Sequence, residues 1–269
     1  NSTSPYRGAG RPEAAYIIES MVDLVALELG LDKTEVRRKN MIPVDAMPFK
    51  TGHTYTYDCG EFEKNMDRVM EMIDYRGFKS RKENSAKQGK LRGIAISNSI
   101  ERSAAPIPEN IEIRFDPSGT VTIFAGTKDQ GQSHDTMYKQ LLSDKLSIDT
   151  DNIRFVDGDT DKVTHGLGTF GSRSAAIGGA ALHVAADKII EKGTKIAAEI
   201  LEASEKDITY ESGAFQIAGT DKKINIHELA KIAYDPIKMP RGIEPGLAET
   251  GVFRPEAPSF PNGCHGVEV

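Results

Sequence analysis

Three glycine-rich segments concentrate the groups of this sequence that could hold a ligand. The first is Tyr6-Arg7-Gly8-Ala9-Gly10-Arg11-Pro12-Glu13. Its small residues let backbone N–H groups approach a ligand, a helix starting just beyond would favour negative charge, and Arg7 and Arg11 offer paired donors suited to oxyanions. A glycine-rich helix entry with solvated arginines accounts for the same residues. The second segment is Gly126-Thr127-Lys128-Asp129-Gln130-Gly131-Gln132-Ser133-His134-Asp135-Thr136. The carboxamides of Gln130 and Gln132 pair donors with an acceptor, which suits the edge of a heteroaromatic ring better than a bare phosphate, and Gly131 lets the backbone come near. A polar strand-to-helix loop with Ser133 or Asp135 as N-cap is the alternative. His134 has no partner His or Cys at ligand spacing and reads as a hydrogen-bonded loop residue rather than a metal ligand.

The third segment runs Gly158-Asp159-Thr160-Asp161 and then Gly166-Leu167-Gly168-Thr169-Phe170-Gly171-Ser172-Arg173-Ser174. Glycine amides, the hydroxyls of Thr169, Ser172 and Ser174, one guanidinium and a following helix N-terminus converge there, which is what a diphosphate needs. The stretch is neither a Walker A loop nor a dinucleotide GxGxxG fingerprint. Asp157, Asp159 and Asp161 could hold calcium, but the glycine and closing glutamate of an EF-hand are missing, and turn-forming aspartates are the preferred reading. Arg173 lies in the densest donor cluster. It is expected to bind the diphosphate directly, so that its removal lowers binding and leaves the stability of the ligand-free protein nearly unchanged.

The elements that must position these segments follow from periodicity. Residues 12–29 read as a helix, with Pro12 in its first turn, an apolar face of Ile17, Met21, Leu24, Val25 and Leu29, and Gly30 just past its end. Asp32 and Glu35 resemble a capping box for a short helix through Lys39. Residues 43–60 read as loop. Glu61–Arg76 reads as a helix with a Phe62, Met66, Val69, Ile73 stripe, and the charged stretch 79–90 as a polar bridge between domains. The period then changes: Leu91–Ile100, Ile111–Phe115, Val121–Ala125 and Ile153–Val156 read as strands, with a turn at Asp116–Gly119. Residues 134–147 read as a helix, and 175–203 as a long one, interrupted at Gly193. Ile208–Tyr210 and Phe215–Ile217 read as a hairpin and Ile226–Tyr234 as a short helix. The tail 235–269 closes no element. The fold class is α+β.

With 269 residues the chain can bury its own core. Thirty-four basic against 40 acidic residues give a net charge of −6, which argues against nucleic-acid binding. No apolar stretch reaches the ~20 residues of a membrane span. Asn1-Ser2-Thr3-Ser4-Pro5 carries neither a leader pattern nor an initiator Met, so the chain reads as a piece of a longer protein. Cys59 and Cys264, far apart, support neither a disulfide framework nor a cysteine-ligated iron–sulfur cluster, and a reducing cytoplasm is the default location.

The order of these segments resembles the large subunits of the xanthine dehydrogenase, aldehyde oxidoreductase and carbon monoxide dehydrogenase family. Tyr6-Arg7-Gly8-Ala9-Gly10-Arg11, the helix ending Leu29-Gly30-Leu31-Asp32, and Arg37-Arg38-Lys39-Asn40 are similar to that family's active-site loop and its flanking helices. Gln130-Gly131-Gln132 with His134, and Gly168-Thr169-Phe170-Gly171-Ser172-Arg173-Ser174, are similar to its two pterin-dinucleotide loops. The resemblance runs over nearly the whole chain and is nearest to carbon monoxide dehydrogenase large-subunit homologues. It implies a molybdopterin-cofactor-binding domain fold, incomplete at both ends. Residues 1–80 would be the C-terminal part of a first molybdenum-cofactor-binding domain with the active-site loop, and 90–269 the N-terminal part of a second.

Two departures bear on chemistry. CO-oxidising members carry a loop cysteine that helps hold copper beside molybdenum, whereas this sequence has Gly8-Ala9-Gly10. The family's catalytic Glu lies in a motif near the subunit's C-terminus, which is expected beyond Val269. The resemblance implies an intact subunit that binds molybdenum with molybdopterin, as the cytosine dinucleotide, without copper, and hydroxylates an aldehyde or N-heterocycle. Arg7, Gly8, Ala9, Gly10 and Arg11 would border the metal. Gln130, Gly131, Gln132, Ser133, His134 and Thr136 would face the pterin, and Thr169, Gly171, Ser172, Arg173 and Ser174 the diphosphate. Electrons would leave through an iron–sulfur small subunit and an FAD-binding medium subunit, in a dimer of heterotrimers. The chain alone is expected to be inactive. A non-catalytic phosphate- or nucleotide-binding module is the rival reading.

Overall fold

Segments with a 3.6-residue apolar period fold as helices, and the apolar runs between turns as strands, over most of the chain. The computed structural model describes residues 6–269; Asn1–Pro5, where no leader pattern is expected, lies outside the described residues. In chain order come α1 (Arg11–Glu28), α2 (Lys33–Asn40), the short strands β1 (Phe49–Lys50) and β2 (Thr56–Tyr57), α3 (Phe62–Met72), α4 (Phe78–Lys87) and β3 (Ile94–Ile100). Then follow β4 (Glu109–Phe115), β5 (Val121–Ala125), α5 (His134–Leu146), β6 (Ile153–Asp157) and α6 (Gly179–Leu201). The last are β7 (Ile208–Glu211), β8 (Ala214–Ile217), β9 (Lys223–Asn225), α7 (Ile226–Ala233), β10 (Ala248–Phe253) and β11 (Asn262–Glu268). The class is α+β, as expected. No helix among the described residues is long and apolar enough to cross a membrane.

The chain forms two units, one running up to Arg102 and including Ser259–Val269, the other Ser103–Pro258. In the first, α1 ends as its sequence dictates. Gly30 takes φ +64°, and the N–H groups of Leu31 and Gly30 donate back to Ala26 O (2.8 Å) and Leu27 O (3.2 Å). Asp32 then caps α2 by accepting the N–H groups of Thr34 and Glu35. The side of α1 that is covered is not the expected one. Arg37 of α2 is almost wholly buried and pairs with Glu19 (2.7 Å) and Asp23 (2.9 Å), so α1 turns its Glu19–Asp23–Ala26 face toward α2. Ile17, Met21, Leu24, Val25 and Leu29 stay 43–65% exposed. Apolar spacing located the helix, and a paired arginine decided its rotation.

Two other expectations are corrected here. The polar bridge 79–90 is largely helix α4, and the units divide at Arg102 instead. The tail, expected to close nothing, supplies β10 and β11. β11 pairs antiparallel with β3, and α3 lies on it so closely that a β-carbon at Gly266 would sit 2.9 Å from Val69 Cγ1. With two glycines and few branched residues, β11 has little intrinsic strand preference and is set by its partners. One of those is ionic. Glu268 receives Arg81 of α4 (2.7 Å) and Arg92 (2.6 Å), which explains why so charged a segment is structured.

The second unit is built on a four-stranded sheet of order β10-β4-β5-β6, antiparallel except for the parallel pair β5/β6. Ile111, Ile113 and Phe115 of β4 and Val121, Ile123 and Ala125 of β5 are fully buried. α6 crosses β4 and β10 at a distance that only glycine permits, because a β-carbon on Gly251 would stand 2.1 Å from Ala181 O. α6 runs unbroken through Gly193, where the absent side chain admits the Phe215 ring.

The Arg81 and Arg92 hydrogen bonds pull the Glu268 carboxyl down to about 2. A carboxylate depressed in the folded state adds stability above its unfolded value, and that stability is lost as pH falls through the folded one. Glu268→Gln should therefore lower the thermal midpoint at neutral pH, with the gap to wild type closing between about pH 4.5 and 2 in circular-dichroism melts. A gap that stays constant across that range would contradict this account.

Candidate dinucleotide-binding site

β5 and β6 run parallel and end side by side, so the loops that leave their carboxyl ends emerge together, the arrangement in which open α/β sheets bind ligands. The loops that join β5 to α5 and β6 to α6 are the second and third glycine-rich segments. Their backbones touch: a β-carbon on Gly126 would lie 2.3 Å from Gly166 Cα, and Gly168 N–H donates to Gly126 O at 3.1 Å. Thr169 Oγ1 donates to Lys128 O (2.6 Å). Below them the buried Tyr138 hydroxyl donates to Ser174 O (3.0 Å) and accepts from Thr127 Oγ1 (2.7 Å), with burial pushing its pKa up to about 12.

The β5 loop is organised by Asp129. One carboxylate oxygen accepts the N–H groups of Gly131 (2.5 Å) and Gln132 (3.1 Å), the other that of His134 (2.7 Å), and Asp157 receives the Asp129 N–H. The Gly131 and His134 amides hold the Asp129 carboxyl below its ordinary value. Ser133 occupies the N-cap position at φ +61° without capping through its side chain. The capping acceptor is Asp129, a role the sequence reading missed although Asp129-Gln130-Gly131 has the spacing of an Asx-turn. With these amides spent, the loop offers mainly side chains: Gln130, Gln132, Ser133 and Thr136 are exposed. Gln132 Oε1 also accepts the Gln130 N–H (2.5 Å). His134 points inward instead, 3% exposed, with Nδ1–H on Thr127 O at 3.1 Å.

The β6 loop is the reverse. Gly171 and Ser172, both exposed, adopt φ +60° and +54°, and a π-helical turn, Ser174–Gly178, leads into α6. Ile177 and Gly178 N–H both reach Arg173 O (2.8 and 3.3 Å), so the N–H groups of Ser174, Ala175 and Ala176 precede the first bonds within the helix. No acidic residue lies in this first turn, whereas α5 carries Asp135 in its own. Anionic ligands are thus favoured at the π-turn. Asp159 accepts the Asp161 N–H and pairs with Lys162, as a turn-former would.

Arg173 corrects the sequence reading. Its side chain is 1% exposed and ion-paired with Glu109, also 1% exposed. Nη2 donates to Pro108 O (2.7 Å) and Ile107 O (3.4 Å), Nη1 to Gly168 O (3.3 Å), and the Phe170 ring centroid lies 5.1 Å from the guanidinium. It is neither a surface diphosphate ligand nor a solvated helix-start residue. The partner stands 64 residues away, which no local pattern exposes. A signal existed: Glu109 shares the inward parity of Ile111, Ile113 and Phe115, and a carboxylate on a core face needs a cation.

The first glycine-rich segment belongs to the other unit. Gly8, Ala9 and Gly10 all take positive φ (+91°, +47°, +87°), Gly10 is the N-cap of α1, and Arg11 pairs with Glu101 at 3.0 Å. Arg7 is exposed.

Two family models, each described as a molybdopterin cofactor-binding domain, match residues 1–41 and 68–269. The chain belongs to the molybdenum hydroxylase large-subunit family. Among its relatives, the carbon monoxide dehydrogenase large chain of Hydrogenophaga pseudoflava is 35% identical over 94% of this chain. The nicotine 6-hydroxylase large subunit of Paenarthrobacter nicotinovorans is 33% identical over 98%. The chain spans about a third of the length of each, 33% and 34%. Solved structures agree: a Cu,Mo-CO dehydrogenase superposes with TM-score 0.82 at 33% identity, over 95% of this chain and 34% of that one. Quinoline 2-oxidoreductase of Pseudomonas putida 86 gives 0.85 at 27%, over 98% and 35%. The donor set fits the cofactor this family's name implies. Exposed carboxamides beside helix-start amides ahead of the first intrahelical bonds provide for a heteroaromatic ring and an anionic tail, and Gly131 and Gly171 have open space where a β-carbon would stand.

Removing one member of a buried ion pair strands the other charge, at about 3–5 kcal/mol. Arg173→Ala is expected to lose stability on that scale in denaturant titration. A change below about 1 kcal/mol, the scale of an exposed arginine, would return Arg173 to the surface.

Proposed function

We propose that this chain is the portion of a molybdenum hydroxylase large subunit that cradles the molybdopterin dinucleotide, in its cytosine form. The observation that carries this is the adjacency of the β5 and β6 loops, one presenting carboxamides and the other amide N–H groups without a competing carboxylate. Gln130, Gln132, Ser133 and Thr136 flank the pterin edge. Ser172 and the N–H groups of residues 174–176 receive the diphosphate, Thr169 and Gly171 shape its approach, and Tyr138, His134 and Arg173 hold the loops from within. Residues 7–11 border the metal. In family terms, the earlier part of the chain closes the first cofactor-binding domain and the larger later part opens the second.

When bound, the cofactor supplies oxidative hydroxylation of a C–H bond, and the substrate class we favour is an aldehyde or N-heterocycle. Relatives named for nicotine and quinoline support the heterocyclic choice. Electrons pass to an iron–sulfur small subunit and an FAD-binding medium subunit, in a cytoplasmic dimer of heterotrimers. Copper has no place in this reading, because Gly8-Ala9-Gly10 offers no thiolate.

The test is nucleotide content. The subunit carrying this chain, produced in a host that makes the cofactor, should release stoichiometric cytidine monophosphate on acid hydrolysis. Guanosine monophosphate would correct the dinucleotide form, and no nucleotide would overturn the proposal. Copper-treated holoenzyme should show no CO-dependent dye reduction, and rapid turnover of CO would refute the reading of the 8–10 loop.

A further inference from the structure

The Arg173–Glu109 pair makes no direct contact with the side chains assigned to the pterin and diphosphate, yet the β5 and β6 loops that carry them both pass it. The planar fork of Arg173 spans Pro108 O and Ile107 O on one side and Gly168 O on the other. Glu109 Oε1 accepts the Asn110 N–H (3.2 Å) and stands 3.1 Å from where a β-carbon of Gly126 would lie. Gly171 O receives the Ala104 N–H at 3.1 Å, tying the same strand approach to the β6 loop. The Arg173 carbonyl opens the π-turn by accepting two N–H groups. One residue thus has its side chain fixed inside while its carbonyl takes the first bonds of the turn, leaving the N–H groups of 174–176 ahead of them.

We propose that Glu109 and Arg173 are a positioning pair that sets the spacing of the β5 and β6 loops and the aim of the π-turn amides. The inference rests on the dinucleotide reading above. For stability alone a buried ion pair is a poor choice, since well-packed apolar residues of similar volume serve as well or better. What a guanidinium adds is a rigid fork that fixes several carbonyls at set angles, which neither an ammonium nor an apolar side chain reproduces. Among the described residues Arg173 Nε–H is buried without a partner, a penalty that packing for stability alone would not retain.

The experiment uses the subunit carrying this chain and three variants. Glu109→Gln keeps shape and removes the charge, Arg173→Lys keeps the charge and removes the fork, and Glu109→Met with Arg173→Met replaces the pair by apolar side chains. Ile196→Ala, a buried change near the far end of α6, is the destabilised control. Hydrogen–deuterium exchange of the ligand-free proteins should rise in 126–136 and 166–176 together in all three variants and in neither loop of the control. Nucleotide retained by the loaded subunit should fall at least about tenfold, the size typical of losing an orienting partner. The double Met variant should do so while keeping a near wild-type melting temperature. Retention no lower than in the control, or raised exchange confined to 166–176, would overturn the proposal. If the double variant fails to fold, the two single variants against the control decide the matter in the same way. A nucleotide-free wild type would refute the dinucleotide reading, while the exchange comparison would still decide whether the pair positions the loops.

Discussion

Taking a guanidinium and a carboxylate out of water costs several kcal/mol per ion, and only close geometry and further hydrogen bonds offset it. In the second unit that requirement falls on Arg173 and Glu109, and much else follows from meeting it. Glu109 can face the core at the start of β4 only because Arg173 reaches it. Arg173 can leave solvent only because carbonyls from residues 107, 108 and 168 surround it. The start of β4, the β6 loop and the first turn of α6 are therefore mutually conditional: displacing one leaves a charge without a partner.

Around that pair, the two loops are joined by backbone and buried hydroxyls rather than by the side chains that face outward. Gly126 against Gly166 and Gly168 N–H on Gly126 O join them through backbone, and Tyr138 between Thr127 and Ser174 joins them from the buried side. The electrostatics of the loops then diverge. Asp129 places a carboxylate at the N-terminus of α5 and neutralises its positive end, while the turn before α6 has no acidic residue and keeps its field. Neighbouring helix starts thus differ in field: one positive end is neutralised by a carboxylate, and the other is not.

What was legible in the sequence was what depends on neighbours a few residues away. The Gly30 and Asp32 caps, the turn at Asp116–Gly119, and the strands at 111–115 and 121–125 could be read because their hydrogen bonds close locally. The three glycine-rich segments stood out for the same reason. What escaped needed a partner far along the chain. β11 is a strand because β3 is beside it, α1 is rotated by an arginine on α2, and Arg173 is buried by a glutamate on β4. In each case the deciding group is charged or glycine-flanked, so hydropathy patterning carries the least information where tertiary context has the most effect.

The π-turn at Ser174–Gly178 has a meaning in helix phase. A wide turn accommodates about one residue more than an α-turn, and each residue of an α-helix advances about 100° around the axis. The buried stripe of α6, Ala181, Leu182, Ala185, Ile189 and Ile196, is registered against the sheet by Gly251 and cannot rotate. The surplus residue is absorbed ahead of that stripe, so the segment before it is swung around the axis while the core keeps its angular setting. The helix core is thus phased separately from its first turn, and a single-residue insertion or deletion at 174–178 would break the register between the Arg173–Glu109 pair and the buried stripe.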